Sequence, residues 1–138
     1  MQCELKLHHI GVATRNIEKE LSIFESLGYK KISDVFEDPV QRIKGLFIEA
    51  KNQPCLELLE GLSDDNPIKS HLLKGNKFYH IAYETNDIEK DLEKFISEKK
   101  AKVIVPITKA TYFEKICFMM FPNMMIVELV QPKEKIDG

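Results

Sequence analysis

Tryptophan is absent from this 138-residue chain, and glycine and proline are sparse at six each. So few turn formers exclude a collagen-like or low-complexity chain. Cysteine is limited to Cys3, Cys55 and Cys117. An odd number with no C-x-x-C spacing argues against a disulfide framework and points to reduced thiols. No apolar run is long enough to span a bilayer. Met1-Gln2-Cys3-Glu4 has neither the basic start nor the apolar core of a signal peptide. An excess of one charge is missing too: 20 basic against 22 acidic residues leave a formal charge of −2. That balance offers no footprint for nucleic acid. The expectation is a cytoplasmic protein with neither a membrane nor a nucleic acid as partner.

What is there is a globular composition, 43% hydrophobic and 30% charged, enough for one domain over 1–138 with a real core. It is also a repeat. Shifted by 71 residues, His9 meets His80, Ile10 meets Ile81, Thr14 meets Thr85 and Ile17 meets Ile88. The identities continue through Glu18/Glu89, Lys19/Lys90, Leu21/Leu92, Phe24/Phe95, Lys44/Lys115, Phe47/Phe118 and Glu57/Glu128. Glu57 follows His9 by 48 residues, and Glu128 follows His80 by the same 48. The copies run over about 5–60 and 76–131.

Each copy reads as βαβββ. In the first, 5–13 is strand-like, and Ile17, Leu21 and Phe24 form the stripe of an amphipathic helix over 16–27. Thr14 or Asn16 suits its N-cap, and Gly28 suits a left-handed C-terminal residue. Strand-like runs follow at 29–36, 40–50 and 55–60, separated by the turn-rich Glu37-Asp38-Pro39 and Lys51-Asn52-Gln53-Pro54. The connector 61–75 holds a loop and a short helix near Pro67. The second copy has a strand at 78–84, a helix at 87–99, strands at 102–106, 112–121 and 124–130, then a polar tail from Pro132.

Strand alternation assigns the faces. Ile10, Val12, Leu56 and Leu58, with Ile81, Tyr83, Val127 and Leu129, offer apolar surface for the helices. His9, Glu57, His80 and Glu128 share the other face, provided the sheet curls around them. A lone His or Glu there is satisfied by solvent. Four at matched spacing are different, because buried carboxylates require a counter-charge or a metal.

His8-His9-Ile10-Gly11, Leu56-Glu57-Leu58-Leu59-Glu60, His80-Ile81-Ala82-Tyr83 and Ile126-Val127-Glu128-Leu129-Val130 resemble the strand motifs of the vicinal oxygen chelate superfamily. The resemblance covers about residues 5–131 and is nearest to methylmalonyl-CoA epimerase and glyoxalase I-like proteins. It implies an α+β fold in which two βαβββ modules form a curved, cup-shaped mixed sheet with helices outside. It implies one divalent metal ion, with His9, Glu57, His80 and Glu128 as metal ligands, and a homodimer. Two imidazoles and two carboxylates admit Zn, Ni, Co, Mn or Fe. The activity expected is isomerase, epimerase or lyase chemistry on a small carbonyl compound. A proton is taken beside the carbonyl through a metal-stabilised enolate, with Glu57 and Glu128 as the catalytic pair.

Tyr112-Phe113-Glu114-Lys115 stands where the epimerases of this branch carry a Gly-Gly-Lys/Arg stretch, which leaves the substrate class open. Gln41 and Tyr112 are expected at the mouth of the site. Lys115 is a candidate for a substrate carboxylate or phosphate, although its repeat partner Lys44 suggests ordinary strand decoration. His8 reads as structural, His71 as solvent-facing, and the Met119-Met120 and Met124-Met125 pairs as soft packing. Cys55, with no base assigned to it, reads as no nucleophile. Two other functions compete. One is a metal-free small-molecule binding or resistance protein of the same fold. The other is a ring-cleaving dioxygenase, which Glu57 disfavours by adding a fourth ligand to the usual two His and one Glu.

Overall fold

A computed structural model describes residues 5–134; Cys3 and the last four residues lie outside them. The chain divides into two compact units, one of residues 9–79 and one of residues 1–8 with 80–138. The first repeat fills one unit. The second repeat fills the other, which also claims the start of the first strand.

In the unit 9–79, strand β1 (Lys6–Ala13) leads to helix α1 (Ile17–Glu25). The helix starts where Asn16 accepts from the Lys19 amide, an N-cap that satisfies one orphan donor. A second donor, the Ile17 amide, is taken by Glu60 Oε1 at 2.8 Å. Gly28, at φ +97°, reverses the chain after the helix. The strand expected over 29–36 is only β2 (Lys30–Lys31). Ser33 interrupts it by accepting the Phe47 amide through its hydroxyl, and the chain resumes as β3 (Phe36–Asp38) inside the expected turn. Strands β4 (Ile43–Glu49) and β5 (Leu56–Gly61) complete the unit. β2, β3 and β5 pair antiparallel with β4, and β1 lies parallel to β5 with Ile10 opposite Leu56.

One face of this sheet packs on α1: Val12, Leu46, Ile48, Leu56 and Leu58 meet Ile17, Leu21, Phe24 and Tyr29. Leu58 is fully buried there, so Leu58→Ala costs about 2–5 kcal/mol. On the opposite face Ala13, Ile43 and Leu59 pack with Ile68 and Leu72, which flank and belong to the connector helix α2 (Lys69–Leu73). That helix therefore covers part of the surface that also bears Glu57. His71, expected in solvent, is half-buried and lies edge-on to Tyr79, with ring centroids 4.7 Å apart.

The other unit repeats the plan. Strand β6 (Phe78–Glu84) leads to helix α3 (Ile88–Ser97), then β7 (Lys102–Lys109), β8 (Lys115–Met120) and β9 (Ile126–Gln131). β6 is parallel to β9, while β8 pairs antiparallel with both β7 and β9. Asp87 caps α3 by accepting the Lys90 amide, and Gln131 accepts the Ile88 amide at 2.9 Å. Gln131 stands 71 residues after Glu60, so both helices are pinned by the same strand position. Ile88, Leu92 and Phe95 pack on Cys117, Met119, Val127 and Leu129, as the helical stripe requires. Met119 is core, whereas Met124 and Met125 are exposed: the turn before β9 turns them outward. Among the described residues no helix is long and apolar enough to cross a membrane.

A duplicated histidine–glutamate pair

The site is built twice by one strand device. In the unit 9–79 the parallel register sets Gly11 opposite Glu57, so His9, two residues back on the same face, reaches along the sheet toward the carboxylate. His9 Nε2 lies 3.1 Å from Glu57 Oε1. Phe47 sits directly across β4–β5 from Glu57 and meets the His9 ring edge-on at 5.0 Å. Its other side stacks on Phe36, with centroids 5.7 Å apart. His9 is fully buried and Glu57 is 6% exposed.

In the second unit Ala82 is opposite Glu128 on the parallel partner, and His80 Nε2 lies 3.0 Å from Glu128 Oε1. Phe118 faces Glu128 across β8–β9 and meets the His80 ring edge-on at 5.2 Å. Both side chains are buried. The repeat thus conveys a three-part arrangement of His, Glu and Phe. Phe47 and Phe118 were visible as an identical pair at the 71-residue offset, but only the cross-strand register gives them a place beside the histidines.

One ligand atom from each of His9, Glu57, His80 and Glu128 lies within 4.8 Å of the others, a group able to hold a metal ion. The spacing suits the chemistry. Two ligands each about 2.1 Å from one cation lie roughly 3.0–3.4 Å apart when adjacent. The two His–Glu separations match the adjacent value. Neutral imidazole and carboxylate donors balance a divalent charge, and that balance offsets the cost of burying two carboxylates.

The other expected residues have neighbours of their own. Gln41 donates its backbone N–H and its Nε2 to the buried carboxylate of Asp38, at 3.1 and 2.8 Å. Asp38 is a buried acid that the turn-like Glu37-Asp38-Pro39 had disguised. Tyr112 is 39% exposed and packs edge-on against Phe113. Lys115 lies opposite Gln131, on the strand face that carries Cys117 and Met119 against α3, and it pairs with Glu89 of that helix. Strand parity therefore turns it to the face opposite that of Glu128, toward α3. Hydrogen bonding to Glu89 first, and that charge after it, holds the lysine above its ordinary pKa. His8 packs on Phe113, in keeping with a structural role. The Cys55 thiol is pushed up to about 11, by burial first and then by the Glu57 and Glu49 charges. It is no thiolate nucleophile at neutral pH.

Comparison with known proteins agrees with this geometry. Residues 8–112 match the glyoxalase/bleomycin resistance protein/dioxygenase superfamily. A mouse mitochondrial methylmalonyl-CoA epimerase is 29% identical over 85 residues, 60% of this chain. The match takes in 47% of that protein, so the chain spans about half the length of the curated relative it matches. A hypothetical protein from Bacillus halodurans superposes with a TM-score of 0.84 at 26% identity, over 99% of this chain and 100% of that one. Methylmalonyl-CoA epimerase from Mycobacterium tuberculosis gives 0.83 at 17% identity, over 97% and 94%. The Streptomyces coelicolor epimerase, solved with 2-nitronate-propionyl-CoA, gives 0.78 at 21%, over 94% and 98%. The paired βαβββ units are those of a glyoxalase-like fold, and the chain belongs to the glyoxalase/bleomycin resistance protein/dioxygenase superfamily.

Proposed function

We propose that the protein is a divalent-metal-dependent isomerase, epimerase or lyase that moves a proton next to a carbonyl group of a small substrate. The observation that carries this reading is the duplicated pair of buried glutamates, each held about 3 Å from a buried histidine. His9, Glu57, His80 and Glu128 would hold the cation. Bound there, the cation supplies Lewis-acid polarisation of a carbonyl oxygen and so raises the acidity of the neighbouring C–H.

The chain's own residues do the rest. Glu57 and Glu128 each present one carboxylate oxygen to a histidine, and in this reading the same carboxylates exchange the substrate proton. A single glutamate that takes and returns the proton gives isomerisation. Two glutamates working from different sides of one carbon give epimerisation. Phe47 and Phe118 border the two histidines edge-on and exclude water from the side of each carboxylate that they face. In this reading Tyr112 and Gln41 border the remote part of the substrate. In the same reading the protein is a cytoplasmic homodimer, a state that light scattering measures.

Metal analysis on protein purified without chelator should find about one equivalent of divalent metal, lost in Glu128→Ala. NMR should show solvent deuterium entering a 2-oxo acid or an acyl-CoA thioester beside the carbonyl. Metal-free protein after repletion would support a binding module of the same fold instead.

A further inference from the structure

The two glutamates do not sit in equivalent surroundings. Gly45 is on β4, diagonal to Glu57 across the antiparallel ladder, and its cross-strand partner on the other side is Phe36. A Cβ at Gly45 would stand 3.1 Å from Glu57 Oε2 and 2.6 Å from Phe36 Cζ. The first distance is tighter than an ordinary contact and the second is a clash. The Phe36 ring cannot simply retreat, because it is stacked on Phe47, which in turn borders His9. Gly45 has no left-handed φ to explain it. Its missing side chain is the space in which the ring and the carboxylate oxygen meet. At the matching position 71 residues on stands Ile116, fully buried and diagonal to Glu128. A branched side chain fills there what Gly45 leaves bare.

We propose that Gly45 is a positioning residue for Glu57. Its bare Cα and the Phe36 ring form a slot that holds Oε2, and the filled slot aims Oε1 at His9 Nε2. The inference rests on the reading of Glu57 as a metal and proton ligand, and it makes the two halves of the site chemically unequal. It also gives β3 a role, because the strand that interrupts the expected βαβββ pattern is what carries Phe36 to the site.

Gly45→Ala alone risks misfolding, so the test uses Phe36→Leu and the double variant Gly45→Ala/Phe36→Leu, in which the ring clash is relieved and only the contact with Glu57 remains. Metal-free protein is followed at one pH by the imidazole 1H–15N spectrum. The His9 Nε2 resonance should move by several ppm between the single and the double variant while the His80 resonance stays in place. An unchanged His9 resonance overturns the proposal. Co2+ titration of the same proteins separates the underlying reading. Wild type and Phe36→Leu should bind, and the double variant should bind about tenfold more weakly with an altered visible spectrum. A His9 shift in a protein that binds no Co2+ keeps the slot and refutes the metal site. Equal Co2+ affinity and spectrum in both variants count against the slot.

Discussion

Glu128→Gln separates the cost of a buried charge from its use. The carboxylate is 4% exposed and lies 3.0 Å from His80 Nε2; glutamine keeps its shape and removes its charge. In metal-free protein two effects oppose. Relief of a desolvation penalty of several kcal/mol is set against loss of the close electrostatic contact with His80 Nε2 at 3.0 Å. The metal-free variant should therefore melt at or slightly above the wild-type temperature. With metal the order reverses. A cation at about 100 times its Kd stabilises the wild type by about 2.7 kcal/mol. If the amide weakens binding about a hundredfold, the same concentration leaves only about 0.4 kcal/mol. In a domain of this size 1 kcal/mol moves Tm by roughly 4 °C, so a metal-induced shift of about 10 °C should fall to about 2 °C. Calorimetry with and without Zn2+, Co2+ or Mn2+ reads both arms. An undiminished metal shift in Glu128→Gln would falsify the ligand assignment, and a large fall in the metal-free Tm would refute the charge accounting.

Lys99 holds φ +55° at the C-terminal end of α3, where the first copy has Gly28 at φ +97°. Lys99→Gly should stabilise by about 0.5–1 kcal/mol by relieving left-handed strain, and a lower Tm for this variant would show that the turn carries no such strain. The Cys117 thiol is pushed up to about 12, by burial first. An acid whose folded pKa is raised contributes stability below its unfolded value and loses it as pH rises. Unfolding free energy should thus fall by about 1.4 kcal/mol per pH unit above roughly pH 9 from this group. Urea titrations at pH 8 and pH 10.5 should show that slope in wild type and a shallower one in Cys117→Ala; equal slopes would assign the loss to other groups.

The pairing of His9 with Glu57 and of His80 with Glu128 was readable in the chain because strand alternation and the 71-residue repeat are both local regularities of spacing. The same holds for the helical stripes and the cap at Asn16. Where reading stopped short, the cause was a partner far away in sequence. The run 29–36 looked continuous, yet the Phe47 amide finds the Ser33 hydroxyl and splits it into two short strands. The pairing of Lys115 with Glu89 was likewise not legible, because it depends on the β8–β9 register that sets Lys115 opposite Gln131 on the helical face.

The amino-acid sequence by itself determined the duplicated unit, which strands bear the histidines and glutamates, and which apolar residues the helices cover. Periodicity and residue chemistry are carried by neighbours along the chain. Only the tertiary structure decided that Phe47 and Phe118 wall the histidines, that α2 packs on the Glu57 side of the sheet, and that Gly45 is bare because Phe36 and Glu57 occupy its space. Those outcomes depend on cross-strand register and on the volume left between side chains, and neither is a property of any local stretch of sequence.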